Sequence, residues 1–424
     1  MIQPEIIFSP AKLGIPAKGG TLDVVLRVQA PDQPADLVPG LTPIRLALVI
    51  DKSGSLWEPL AEAFKFATYV AGRMTAADQL ALVVYDDVAK TLLPLHHAPA
   101  CVMVEQTTDE RSAGGRTNLF GGWQEGARQL EGGKAGSISR VILMSDGQIN
   151  RGLDDEDAII RHCSDWHAMG VSTSTIGLGL SVNEGLLTAM ARAGGGQQYY
   201  GWTTKELQDC FDEEFSLLQA LCLQQLEVIL MPAPGVIVEP IGLVQQNADS
   251  SFRLGNLAWG AEARLALRLH ISPGIAGSTR ELLGASLRSR NLAGKLCNTQ
   301  ASPLRLPVLD QQALDALPAA AAVEDRLLEA RFAKASQAFC RLVNRGDSDE
   351  AFALLDELDA RFSQHPWLRG RLFGLREFAV NDLKMMMKEA EFSSEQMARC
   401  LVGKEPLMCS ADQSDALKPP YLRH

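Results

Sequence analysis

The chain of 424 residues is long enough for two or three domains, and its 46% hydrophobic and 21% charged residues are ordinary for a globular protein. A net charge of -11 and a pI near 5.2 argue against nonspecific binding to nucleic acid or to an anionic membrane. The start, MIQPEIIFSP, lacks a basic segment followed by an apolar one, no stretch approaches the roughly 18 apolar residues of a membrane span, and the eight cysteines form no CxxC pair. We therefore expect a cytoplasmic chain without a membrane segment, a disulfide framework or a zinc knuckle.

In chain order, Thr21 to Val28 alternates, with Leu22, Val24, Leu26 and Val28 on one face and Asp23, Arg27 and Gln29 on the other, as in a half-buried strand. Ala30 to Pro43, with four prolines and a glycine, reads as a loop. Ile44 to Ile50 is nearly all apolar, as in a strand buried on both faces of a parallel sheet. It stops at Asp51, the first residue of an Asp51-x-Ser53-x-Ser55 pattern in which Gly54 supplies backbone freedom. A helix follows, with Pro59 near its first turn and Ala61, Phe64, Ala67, Tyr69 and Val70 as the expected inward positions. Leu80 to Tyr85 and Ala89 to Leu95 predict an edge hairpin about Asp86-Asp87.

Gly114-Gly115-Arg116-Thr117-Asn118-Leu119 then puts a hydroxyl on a glycine-rich loop before a helix over about 120–130. Ile138 to Met144 is a second buried strand, continuing into Ser145-Asp146-Gly147. Asp154 to His167 predicts a helix whose acidic start suits the dipole, and we read Asp154 to Asp157 as a solvated helix start in preference to a second cation site. Val171 to Ile176, Glu184 to Arg192 and Thr203 to Leu221 continue as strand, helix and long helix. Alternating strands and helices imply a mostly parallel, doubly wound sheet.

A Ser/Gly/Asp turn alone is ordinary loop chemistry. Three such loops at strand or helix ends can instead converge on the crevice where open α/β sheets bind ligands. Their carboxylates and hydroxyls are hard oxygen donors, suited to magnesium, calcium or manganese. Here the residues resemble the von Willebrand factor type A (VWA) domain and its metal-ion-dependent adhesion site. The resemblance spans about 42–220. It implies metal ligands at Asp51, Ser53, Ser55, Thr117 and Asp146, with Mg²⁺ the first expectation and Ca²⁺ or Mn²⁺ as alternatives. It also continues through Gly177-Leu178-Gly179 and the Val182 to Leu187 helix start.

Beyond Leu221 the period changes. Leu226 to Leu230, Val236 to Val238, Phe252 to Leu257, Ala263 to Ile271, Glu281 to Ser289 and Leu304 to Val308 are short strand-like runs between turns. Two strands alone are marginal. We therefore expect residues 1–41 and 222–310 to form one antiparallel β-sandwich into which the VWA domain, 42–221, is inserted. Val323, Leu327, Leu328, Phe332, Ala335, Phe339 and Leu342 recur at helical spacing, as do Phe352, Leu355, Leu358 and Phe362, and Leu383, Met386 and Met387. They predict a helical bundle or hairpin over 311–400, followed by a tail, 401–424. The Met385 to Met387 cluster reads as core packing.

The function this implies is non-enzymatic: a metal-dependent scaffold or adaptor of the bacterial intracellular type, in which a partner's Asp or Glu completes the coordination. Lys52 and Arg116 flank the motif and are read as surface charges. The resemblance also implies partners such as an AAA+ ATPase or a kinase or phosphatase module, and coupling of ligand binding to the helix over 203–221. A purely structural assembly component is one alternative. A metal-dependent hydrolase is another, but the chain has no GxSxG or GxxxxGK[ST] motif and no evident general base beside the site.

Overall fold

A computed structural model describes residues 3–34, 42–56, 60–97, 104, 114–133, 136–178, 182–201, 203–247, 249–345, 347–362 and 372. By its internal contacts the chain divides into two compact units. Of the described residues, one unit takes those within 42–221 and 292–294; the other takes those within 3–34, 222–291 and from 295 on.

The first unit is a six-stranded sheet ordered β6-β5-β4-β7-β8-β9. Its strands are β4 (Ile44–Asp51), β5 (Gln79–Tyr85), β6 (Ala89–His97), β7 (Ile138–Ser145), β8 (Val171–Gly177) and β9 (Gly195–Tyr200). All neighbours run parallel except β5 and β6, which form the expected edge hairpin. Pro94 is tolerated there because an edge strand has one side without ladder bonds. The side chains of β4 alternate between two cores. Leu46, Leu48 and Ile50 meet Phe64, Phe66, Phe211 and Phe215 from α1 (Leu60–Arg73) and the long helix Thr204–Gln219. Ala47 and Val49 meet Trp123, Ile159 and Leu187 from α2 (Leu119–Gln129), α3 (Glu156–Ala168) and α4 (Glu184–Ala193). Helices on both faces explain the apolar stretches Leu46 to Ile50 of β4 and Val141 to Met144 of β7. The long helix, α5, starts with a capping box between Thr203 and Glu206.

On α1 two positions differ from expectation. Ala61 faces solvent and Tyr69 is half-buried, whereas Ala63 and Phe66 enter the core. Tyr69 sits at the helix margin because its hydroxyl donates to Asp212 of α5 at 2.8 Å. β9 opens on two glycines and has no apolar run, and its pairing with β8 supplies what local apolarity does not. β8 itself is buried although four of its residues are Ser or Thr. Its hydroxyls are matched: Ser172 donates to the Ser139 carbonyl, Thr173 accepts from the Trp123 indole, Ser174 donates to Glu214 and Thr175 donates to the Leu187 carbonyl.

The second unit contains two largely antiparallel sheets. One is ordered β1-β3-β14-β11 and the other β12-β13-β10-β15-β17-β2, with β16 on β15. The strands are β1 (Glu5–Pro10), β2 (Ile15–Pro16), β3 (Gly20–Gln29), β10 (Leu221–Pro232), β11 (Val236–Ile241), β12 (Gln245–Gln246), β13 (Phe252–Ala258), β14 (Glu262–Ile271), β15 (Thr279–Asn291), β16 (Leu296–Gln300) and β17 (Leu304–Leu309). The register of β3 on β14 runs from Gln29↔Glu262 to Gly20↔Ile271, so the amino-terminal segment shares a sheet with strands from beyond the first unit. β17 and β2 pair in parallel. On β14, Leu265, Leu267, Leu269 and Ile271 are buried on one face as expected.

The opposite face of that sheet is also covered. A short α6 (Gln311–Asp315) leads to α7 (Ala321–Arg345), whose Val323 and Leu327 pack on Val25 and Ala266. Asp23 receives both Arg268, from the neighbouring strand, and Arg331, from α7. The helices are therefore not a bundle apart from the sheet. Only the later turns of α7 make a core with α8 (Ser348–Phe362), through Phe332, Phe339, Leu355, Leu358 and Phe362. Phe352 is exposed and Ala351 takes the inward place, because 351, 355, 358 and 362 form one helical stripe. Met385 to Met387, the third expected helix and the tail lie outside the described residues. Among the described residues no helix is long and apolar enough to cross a membrane.

Candidate metal site

The sheet order puts β5 on one side of β4 and β7 on the other, so the chain reverses its winding between β4 and β7. That is the place where an open sheet leaves a crevice at its carboxyl edge. Asp51 is the last residue of β4 and Asp146 follows the last residue of β7. Ser53 lies just before a 3-10 turn, Gly54–Leu56, that opens the connection to α1. Thr117 precedes Asn118, the cap of α2, whose side chain accepts from the Gly121 amide. Asp51, Ser53, Thr117 and Asp146 are all no more than 3% exposed. Ser55 falls within the 3-10 turn, and its side chain lies outside the described part of the structure.

The loops are tied to one another by their backbones. The Lys52 amide donates to the Tyr85 carbonyl, Gly114 to Lys52, Asn118 to Asp86 and Asn183 to Asp146, at 2.7–3.0 Å. Thr117 is held by Asn150, whose side-chain oxygen accepts the Thr117 amide at 2.6 Å. These bonds pre-organise donors drawn from loops far apart in sequence.

Sequence reasoning missed the groups that hold Asp51. Its Oδ2 accepts from the Tyr85 hydroxyl at 3.0 Å and from the Ser145 hydroxyl at 2.7 Å, and its Oδ1 accepts from the Ser53 amide at 2.9 Å. Tyr85 and Ser145 close the two strands flanking β4, at the level of Asp51. A hydroxyl-bearing residue at the end of each apolar run was the available signal. Burial pushes the Asp51 carboxyl up to about 6, with the hydrogen bonds from Ser53 and Ser145 opposing and the nearby charge of Asp146 adding to the rise. Burial, followed by the charge of Asp51, pushes the Tyr85 phenol well up.

Of the two flanking cations, Lys52 has a partner away from the cluster. Lys52 Nζ lies 2.7 Å from Asp86 Oδ2 at the hairpin tip. Burial would raise the Asp86 carboxyl, but the bond and charge of Lys52 together with the Val88 and Asp87 amides lower it. Arg116 is exposed. The acidic run at α3 is a solvated helix start, with Asp155 as the cap accepting from the Ala158 amide. Among the described residues no three His, Cys, Asp or Glu side chains gather as a metal site. The cluster is of a different kind, two carboxylates with neutral hydroxyls. Such a donor set fits a small hard cation, and two buried acids near one another favour a positive charge between them. The described cysteines are free thiols, of which burial pushes Cys163 up and Cys222 up to about 12.

No protein-family profile matches the chain. It is 24% identical over 310 residues to an uncharacterised protein of Synechocystis sp., sll0103, across 70% of this chain and 72% of that one. Among solved structures it is similar to a von Willebrand factor type A protein from Catenulispora acidiphila, with a TM-score of 0.68, 16% identity, and coverage of 88% of this chain and 90% of that one. It is also similar to the ArnB paralog VWA2 from Sulfolobus acidocaldarius, with a TM-score of 0.60, 15% identity, and coverage of 93% and 99%. At these identities the likeness is one of fold, and the fold is that of von Willebrand factor type A proteins.

Proposed function

We propose that this chain is a divalent-metal-dependent protein-binding scaffold that captures an Asp or Glu carboxylate of a partner protein. The proposed ligands are Asp51, Ser53, Ser55, Thr117 and Asp146, and the proposed ion is Mg²⁺, with Mn²⁺ or Ca²⁺ as substitutes. One observation carries the reading: two carboxylates and two hydroxyls from three separate loops are all buried at the switch point of the sheet. Burying an ionised carboxylate is costly without a compensating charge, and the rise of Asp51 to about 6 reflects that cost. The bound ion would supply a Lewis-acidic centre able to accept an external carboxylate. Ser53 and Thr117 offer lone pairs without charge and Asp51 and Asp146 would act directly or through waters, so few charged donors would touch the ion and an acidic ligand is favoured. The rigid backbone ties among the loops hold these donors ready.

The test is calorimetric titration of the chelator-stripped full chain with MgCl₂, MnCl₂ and CaCl₂, followed by partner capture from host extract with and without EDTA. We expect saturable heat for the native chain, and loss of both heat and EDTA-sensitive capture in Asp51→Ala and Thr117→Ala. Folded native protein that gives no heat with any of the three ions would sink the proposal.

A further inference from the structure

Three turns of the second unit cross from one of its sheets to the other. Residues 17–19 join β2 to β3, 233–235 join β10 to β11, and 272–278 join β14 to β15. They meet: the Ala17 carbonyl accepts from the Gly274 amide and the Gly235 carbonyl from the Ser272 amide, both at 2.9 Å. The three turns therefore form one surface at one end of the sheets. Lys18 is their one charged residue, in a chain that is 21% charged.

This surface is apolar and projects. Ile275, in the last turn, is 81% exposed, and Ile237, the second residue of β11, is 71% exposed. Pro234, Pro273 and Ala276 are exposed beside them. A single exposed aliphatic residue is ordinary, whereas several together on a surface without acids mark an interaction site. Along the adjoining strands the acids Glu239 and Glu281 face His270 and Arg305.

The backbone of the turns is also provided for. Arg280 donates to the Ser272 and Pro234 carbonyls, both at 2.7 Å, and so ties two turns together. The Ile275 carbonyl accepts from the Ser278 amide and hydroxyl, and the Ala233 carbonyl from the Val236 amide. Pro234 and Pro273 bring no amide hydrogen to satisfy.

Side chains so exposed stand out from the turns and do not line a groove. No aromatic residue lies in the three turns, so the anchors typical of a protein interface are missing. Lipid asks for what is present: apolar tips, internally bonded backbone carbonyls and a cation for the headgroups. We propose that this end of the second unit docks on a lipid surface, with Ile237 and Ile275 entering the boundary between headgroups and acyl chains and Lys18 meeting anionic headgroups. The net charge of -11 opposes adsorption of the chain at large, which leaves a local and oriented contact. It is independent of the metal site.

The experiment is co-sedimentation of the full chain, in EDTA, with vesicles of phosphatidylcholine alone and of equimolar phosphatidylcholine and phosphatidylglycerol. Native protein is compared with Ile275→Ser, Ile237→Ser, Lys18→Gln and Leu296→Ser, and circular dichroism with thermal unfolding reports that each is folded. Leu296 is an exposed leucine opposite Arg290, at the other end of β15 from the turns. The native chain should bind saturably, and more tightly to the mixed vesicles. Ile275→Ser and Ile237→Ser should each weaken binding to the mixed vesicles by about ten-fold or more, the scale of one buried aliphatic side chain. Lys18→Gln should weaken it by about five-fold, and Leu296→Ser should leave it unchanged. A native chain that stays in the supernatant with both vesicles overturns the proposal. So does a loss in Leu296→Ser as large as that in Ile275→Ser, which would mean adhesion by any exposed apolar residue.

Discussion

Asn150 grips Thr117 from two directions: its side-chain oxygen accepts the Thr117 amide at 2.6 Å, and its own amide donates to the Thr117 carbonyl at 3.3 Å. The loop after β7 thereby fixes a hydroxyl that belongs to the loop before α2. Asn150→Ala keeps the second bond and loses the first. We expect it to weaken Mg²⁺ binding by about ten-fold or more, the usual effect of losing a group that orients a ligand. Calorimetry on the stripped chain measures this, and an unchanged affinity would show that Thr117 is held by the rest of its loop.

Gly122 and Gly126 let α2 lie against the sheet without side chains between. A Cβ at Gly122 would meet the Tyr85 ring at 2.2 Å, and one at Gly126 would meet a Val49 methyl at 2.3 Å. Alanine gains roughly 1 kcal/mol of helix propensity over glycine. Overpacking a buried site costs about 1–3 kcal/mol, so Gly122→Ala should lower stability on balance. Gly185→Ala, at an exposed position whose nearest contact is 3.7 Å away, should be neutral or stabilising. Urea unfolding of the two variants side by side tests the contrast.

Arg140 and Glu214 form an ion pair almost without solvent access, with 3.1 Å between Nε and Oε1. Nε is off hydrogen-bond geometry, so the contact is one of charge. The Glu214 oxygens also accept from Ser174 at 2.7 Å and from Tyr199 at 3.0 Å. Glu214→Ala leaves a buried guanidinium without its counter-charge, and we expect a loss of about 3–5 kcal/mol. Replacing Arg140 and Glu214 together by Met and Leu should cost less than the single change. Equal losses in the two proteins would count against this account.

Asp23 ties two strands and a helix through Arg268 and Arg331. Burial would raise its carboxyl, but the bond to Arg268 and the charges of Arg268 and Arg331 prevail and hold it below the ordinary 3.8. A lowered folded-state pKa means that its contribution is present above 3.8 and is lost as pH falls through the lower folded value. Thermal unfolding followed from neutral pH into acid should show the native chain losing stability in that window. Asp23→Asn should be less stable at neutral pH and should change less on acidification. Parallel curves for the two proteins would remove Asp23 from the explanation.

By itself the sequence determined the α/β class, the carboxyl-end placement of Asp51 and Asp146, and the loop that carries Thr117. Each is announced locally, by an apolar run that ends in an acid or by a glycine loop that opens a helix, and such signals need no knowledge of distant partners. Alternation likewise revealed β14, and helical spacing revealed the stripe of α7. Only the tertiary structure decided that Tyr85 and Ser145 hold Asp51, because those bonds depend on β5 and β7 being the strands on either side of β4. The same holds for β9, made a strand by its neighbour, and for Ala351 in place of Phe352, where the packing partner chose the face. Local pattern sets what a segment can bury, whereas strand order and helix docking set which polar groups meet, and the energies of this site lie in those meetings.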